Sequence, residues 1–213
     1  MNQAIRTTAT LLATYAALLG TAHGAFEVSQ GSVAAEGLLI YAIGPPCQPA
    51  LVWHGCLPAL SLLPNLLISG IVTVIVAELI LILAVGFIQR PRVGLVIAGL
   101  AIVLLLVGGG FFSGVIGLIA GLTATRINTA LEGMDTLPAP MLNAFANLWP
   151  WLLIAYFGWI PLQWVLGTFF NDLLLSLGAV LLPLEFLLMI SAVLAAAAYD
   201  FNRREPPLDL AAI

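Results

Sequence analysis

Residues 93–125 read VGLVIAGLAIVLLLVGGGFFSGVIGLIAGLTAT, thirty-three positions without a charge, closed by Arg92 on one side and Arg126 on the other. As one straight helix this stretch would extend ~50 Å, well beyond a ~30 Å hydrocarbon core. Its middle is Gly108-Gly109-Gly110, the weakest helix-forming triplet in that stretch. The stretch therefore reads as two halves, Val93 to Val107 and Phe111 to Thr125, hinged at the glycines. Each half has fifteen residues, short for a crossing. The halves are either a pair of thin spans or a re-entrant hairpin, and the bend of a hairpin has to be buried in protein.

The basic residues choose between a returning stretch and a single crossing. All six are arginines, Arg6, Arg90, Arg92, Arg126, Arg203 and Arg204, and lysine is absent. Basic residues in short loops stay on the cytoplasmic side. If 93–125 enters and returns, all six lie on one face; if it crosses once, three face three. The six-to-none arrangement is the expected one, with both termini cytoplasmic in the cell membrane.

Composition agrees with a bilayer as solvent. The chain of 213 residues is 62% hydrophobic and 8% charged, with a mean hydropathy of +1.13, where a soluble domain carries roughly a quarter charged residues. The segments and one loop nearly consume the chain, so a single integral membrane domain over 1–213 is expected. The net charge of −4, with no basic cluster beyond Arg203–Arg204, argues against nucleic acid or a strongly anionic lipid patch as partner. Without lysine there is no Schiff-base chemistry and no phosphate-binding loop.

Outward from the glycine-hinged pair, Leu66 to Ile88 is an apolar span with Glu78 near its centre, ending at the polar turn Gln89-Arg90-Pro91-Arg92. Thr7 to Gly24 is the most polar candidate span, and its Ala22-His23-Gly24 end also fits a signal-peptide cleavage site. Residues 25–66 form a proline-containing extracytoplasmic loop, within which the apolar run Gly37 to Ile43 is expected to lie on the membrane surface or the bundle. After the glycine pair, Ile127 to Leu148 reads as a cytoplasmic connector with Pro138 and Pro140, and Leu142 to Trp149 as a short interfacial helix. Spans follow at Trp149 to Phe170 and Leu173 to Tyr199, joined by a tight turn at Asn171-Asp172. Residues 205–213 read as a mobile cytoplasmic tail. The expected fold is an all-α polytopic transmembrane bundle of about six membrane segments.

Glu78 and Glu185 both fall near the middle of their spans. A bare carboxylate in hydrocarbon is costly, and no arginine lies at that depth. The two read as a protonatable pair that could meet at the midplane and serve as a proton or ion relay, or, more plainly, as acids that hydrogen-bond across helix interfaces. His23, Glu27 and Gln30 align on one helical face if the first helix continues past Gly24. That outer polar face is a proton-accepting or two-ligand metal feature, or an ordinary helix end hydrogen-bonded to the loop. Cys47 and Cys56, both in the outer loop, are expected to form a disulfide closing a ring of about ten residues, worth roughly 2–3 kcal/mol in the chain-entropy model. A metal set of the two cysteines with His54 matches no zinc spacing and lacks a fourth ligand. Gly110, Gly114, Gly117 and Gly121 line one helical face on which another backbone can approach closely. Phe112-Ser113-Gly114 and Tyr199-Asp200 lack the companion motifs of intramembrane serine and aspartyl proteases, so an enzyme is not the expected reading.

The combination of His23-Gly24-x-x-Glu27-x-x-Gln30-Gly31, Gly108-Gly109-Gly110-Phe111, Gly117-Leu118-Ile119-Ala120-Gly121 and Thr125-Arg126-Ile127-Asn128 resembles a set of prokaryotic multi-pass integral membrane proteins of uncharacterised activity. The resemblance implies a membrane identity and carries no residue roles. The functional expectation is a small proton- or cation-linked transporter using Glu78 and Glu185, with His23 and Glu27 at its outer mouth. The alternative is a non-catalytic membrane subunit that packs against a partner membrane protein or a second copy. No cofactor is expected, since two histidines and no nucleotide-binding loop leave a redox enzyme poorly equipped.

Overall fold

The computed structural model describes residues 1–41, 53, 58–131 and 133–203. The expected Cys47–Cys56 disulfide, His54 and the tail 205–213 lie outside the described residues. The architecture is all-helical apart from one short hairpin. In chain order the elements are α1 (Gln3–Gln30), β1 (Leu39–Tyr41), β2 (Pro58–Leu60), α2 (Leu66–Ile82), α3 (Val93–Leu106), α4 (Phe111–Ala124), α5 (Ala139–Phe169) and α6 (Asn171–Asn202). Helix α2 widens into a π-helical last turn over Leu83–Phe87.

Helix α1 is the axis of the bundle and packs on α2, α4 and α6. Its inward positions are small: Ala4, Ala9, Ala13, Ala16 and Ala17 are fully buried, so neighbouring backbones come close on several sides at once. At Gly24 and Gly70 α1 and α2 approach so closely that a Cβ built on Gly70 would lie 2.5 Å from the Gly24 carbonyl oxygen and 2.7 Å from the Val28 nitrogen. The helix runs unbroken to Gln30, which satisfies the condition for His23, Glu27 and Gln30 to share a face.

Helices α3 and α4 end within one residue of the halves read from the sequence, and they form a hairpin. The Gln89–Arg92 turn and the residues after α4 are tied together by Asn128 Nδ2, which donates to the Gln89 carbonyl at 2.8 Å. Near those ends the helices nearly touch, since a Cβ on Gly94 would sit 2.7 Å from the Gly121 carbonyl oxygen. The glycine turn lies at the far end, roofed by the segment that precedes α2. There Gly108 N–H donates to the Leu60 carbonyl and Leu62 N–H to the Leu106 carbonyl, each at 2.9 Å.

The other end of the bundle gathers the arginine-bearing turns. The Asn2 amide N–H donates to Ile127 O at 2.8 Å, and Asn2 Nδ2 donates to Arg126 O at 2.7 Å and to Thr129 O at 3.1 Å. Buried Asp200, near the end of α6, accepts from Ala4 N–H at 3.0 Å and Ile5 N–H at 2.8 Å and so caps α1 from the opposite end of the chain. Arg6, Arg90, Arg92, Arg126 and Arg203 are therefore all carried by segments at this end.

Two expectations are corrected. The second half of the connector to Leu148, with its separate interfacial helix, is instead part of α5, which starts at Ala139 and passes through Pro150 and Pro161. Pro138 is its N-cap and Pro140 stands in the first turn, where a missing N–H costs nothing. The loop read over 25–66 also begins later, because α1 continues to Gln30. Within the apolar run beginning at Gly37, Leu39–Tyr41 pairs antiparallel with Pro58–Leu60, with Ile40 opposite Ala59 and both buried.

Among the described residues three helices are long and apolar enough to cross a membrane: Leu66–Phe87, Ala139–Phe169 and Asn171–Asn202. Their outward stripes are exposed and apolar, as at Ile68, Ile71, Ile75, Leu79 and Ile82 on α2 and at Leu173, Leu177, Val180, Leu184 and Leu187 on α6.

Candidate functional site

The glycine turn organises a cluster of buried polar groups. Val107, the last residue before it, presents its carbonyl to two side chains of α2: Ser69 Oγ donates at 2.7 Å and Thr73 Oγ1 at 2.6 Å. Ser61 Oγ lies 2.8 Å from Ser69 Oγ. On the far side of the turn, Ser113 Oγ bonds the carbonyls of Gly109 and Gly110, the latter at 2.9 Å. Ser61, Ser69, Thr73 and Ser113 are all buried, and their hydroxyls satisfy the backbone carbonyls that an irregular bend leaves without helical partners.

Glu27 enters this cluster from α1. It is 0% exposed, held there by the Gly24–Gly70 crossing one turn earlier. A Cβ on Gly108 would lie 2.5 Å from each Glu27 carboxylate oxygen and 2.6 Å from Ser69 Oγ, so the carboxylate rests against the glycine backbone and the serine. His23, one turn before, packs its ring on Gly110, whose Cβ would lie 2.6 Å from His23 Nε2. Among the described residues neither Glu27 oxygen has a hydrogen-bond partner, and His23 Nδ1 has none.

Hydroxyl bookkeeping explains why. A serine or threonine has one proton to donate; that of Thr73 goes to Val107 O, while Ser69 has Val107 O, Ser61 Oγ and the Glu27 carboxylate all within reach. Ser69 is thus the one hydroxyl shown against Glu27, and its single proton is shared with competing acceptors. An ionised carboxylate in that place would be buried and desolvated with at most one shared serine proton to compensate it, at a cost of roughly several kcal/mol even after relaxation. The arrangement asks for a positive species on Glu27, either a proton or a small cation.

Glu78 and Glu185, by contrast, each have a partner on a different helix. Thr21 Oγ1 of α1 donates to Glu78 Oε1 at 3.1 Å, and Gln163 Nε2 of α5 donates to buried Glu185 Oε2 at 3.2 Å. The structure thus shows each acid in an interhelical hydrogen bond. Gln30 is a tether to the loop, with Nε2 donating to Tyr41 O at 3.1 Å. The glycine face is used inside the chain: Gly110 against His23, Gly114 against Leu105, Gly117 against Ala101 and Ala16, Gly121 against Ala98 and Gly94. No group of three or more histidine, cysteine, aspartate or glutamate side chains suited to a metal occurs among the described residues, so His23 and Glu27 gain no third ligand of these types there.

Sequence reasoning missed Ser69, Thr73, Gln163 and Asp200. Ser69 and Thr73 stand four apart beside Gly70 in a helix that is otherwise apolar except for Glu78, and Gln163 interrupts an apolar run, so those signals were present. Asp200 carried none, because its partners lie about 195 residues away. Compared with known proteins, the chain matches no protein-family model, no curated protein and no solved structure.

Proposed function

We propose that the chain is an integral membrane protein of six membrane segments that carries protons, or a small cation in their place, with Glu27 as the group that takes up the charge near the outer end of the bundle. The observation that carries this reading is a fully buried carboxylate enclosed by a glycine turn, with no basic side chain and no more than a shared serine hydroxyl against it among the described residues. A proton is the better fit of the two. The turn backbone and Ser69 already crowd both oxygens, and a proton needs no volume. Glu78 and Glu185, each bonded to a neighbour that can donate, are deeper stations for the same charge.

The membrane placement is supported by the exposed apolar stripes of α2 and α6, which water would not tolerate on this scale. The gathering of the arginine-bearing turns at one end supports cytoplasmic termini in the cell membrane. Because the other helices pack around α1, loss of residues 1–24 by cleavage would remove most of that axis, so α1 is read as retained. A non-catalytic subunit would have to dock through surfaces other than the glycine face, which this chain's own helices fill.

Reconstitution into liposomes with an internal pH-sensitive dye tests the reading. Under an imposed potential the protein is expected to carry a proton flux that Glu27→Gln reduces at least tenfold. Flux that is absent from the native protein, or equal in the native and Glu27→Gln proteins, contradicts it.

A further inference from the structure

A cleft of about 740 Å³ opens at the arginine-bearing end of the bundle, between the start of α1, the residues that follow α4 and the facing ends of α5 and α6. Trp149 and Tyr199 line it with their rings 4.7 Å apart, and Trp149 is fixed by its Nε1, which donates to Thr8 Oγ1 at 2.9 Å. The Arg203 guanidinium lies over the Tyr199 ring, 4.5 Å from its centroid. Asp200, three residues earlier on α6, leaves it free, because both carboxylate oxygens are engaged by the Ala4 and Ile5 N–H groups. Gln3 and Thr7, one turn apart on α1 and exposed, line the cleft as well. Among the described residues the side chains of Gln3, Thr7 and Arg203 make no hydrogen bond or ion pair with the protein. The cleft thus offers a guanidinium, an amide and a hydroxyl, all available, beside an aromatic wall. Its depth is set by α6. Tyr199 stands fourteen residues beyond Glu185, which is about 21 Å along a helix axis, and Glu185 is near the middle of the span. A bilayer with its headgroups is about 40–45 Å thick, so by folding back over Tyr199 the guanidinium is held at the level of the lipid phosphates.

We propose that this cleft binds the phosphate headgroup of one inner-leaflet phospholipid, with Arg203 donating to the phosphodiester oxygens and Gln3 and Thr7 bonding the polar groups attached to them. A guanidinium presents paired N–H donors that match two oxygens of one phosphate. Stacking on Tyr199 holds that fork in place before the lipid arrives. Trp149 and Tyr199 have the amphipathic rings favoured at headgroup level. A single guanidinium balances a single phosphodiester charge, so the site takes one lipid and is no basic patch for a charged surface. A soluble phosphate ester shares this chemistry, but it gains nothing from a cleft set at the phosphate level of the bilayer, where a lipid is already delivered. The inference rests on the membrane placement and not on proton uptake at Glu27, which is read by a separate flux measurement.

The test is native mass spectrometry of the delipidated full chain in a neutral detergent, titrated with dioleoyl phosphatidylglycerol, with dioleoylglycerol as the same lipid without phosphate and glycerol phosphate as the headgroup without tails. One saturable phosphatidylglycerol adduct per chain is expected, with dioleoylglycerol and glycerol phosphate each bound at least roughly tenfold more weakly. Arg203→Gln should weaken the phospholipid adduct by roughly tenfold or more. Ala130→Trp, which fills the cleft from an exposed position on its lining and keeps the arginine, should abolish it. Arg90→Gln removes the same charge at the same end of the bundle, from a side chain that lies over Phe87 outside the cleft, and should leave it unchanged. Absence of a saturable adduct, equal binding of dioleoylglycerol, or equal weakening by Arg90→Gln and Arg203→Gln would overturn the proposal. Glycerol phosphate bound as tightly as the lipid would overturn the assignment of the site to the bilayer.

Discussion

Gly108 turns the chain with φ at +108°, a region that side chains rarely enter, and a Cβ there would meet both Glu27 oxygens and Ser69 Oγ. Replacing it with alanine adds backbone strain of about 1–3 kcal/mol to a steric clash of similar size. Gly108→Ala is expected to lower stability by ~2–5 kcal/mol in a detergent-unfolding titration, while Gly86→Ala, with open space at its Cβ, stays within about 0.5 kcal/mol. Equal stability of the two variants would mean that the turn does not enclose the carboxylate. The importance of the triplet was legible in the sequence; its role as a roof over Glu27 was not. His23 and Glu27 could be placed on one face from their spacing. Their burial depends on Leu60–Leu62 and the glycine turn folding over that face, contacts between segments far apart in the chain.

For helices, legibility followed the strength of local signals. The ends of α3 and α4 could be read because glycines and arginines bound a chargeless run. The start of α5 could not, because Pro138 and Pro140 look like breakers, although at an N-cap and in a first turn they favour a helix. The hairpin formed by α3 and α4 depends on Gly94 and Gly121, where each backbone occupies the space of the other's missing side chain. A Cβ on Gly121 would lie 2.5 Å from Ala98 N and 2.7 Å from Gly94 O, both rigid helix backbone, whereas one on Gly117 would meet the Ala101 methyl at 3.0 Å. Gly121→Ala should therefore destabilise the protein more than Gly117→Ala, by about 1–3 kcal/mol, measured as the shift in unfolding midpoint. The reverse order would indicate that the two helices do not cross there.

For the whole molecule, the positions of the arginines and the contacts between helix ends point to the same layout. Charge counting predicted that 93–125 turns back; Asn128 bonded to Gln89, Asn2 to Arg126 and Asp200 to the start of α1 bring the same ends together. The exposed stripes of α2 and α6 could be anticipated from hydropathy, while the crowding around α1 could not, since its alanines and threonines make it the least apolar segment. The account depends most on the glycine-hinged hairpin returning to the inner face. In a background with Cys47 and Cys56 changed to serine, Arg126→Cys should resist a membrane-impermeant maleimide applied to intact cells and react only after permeabilisation, while Glu36→Cys in the outer loop reacts at once. Labelling of position 126 from outside intact cells would contradict the layout and, with it, the placement of Glu27 at the outer end of the bundle.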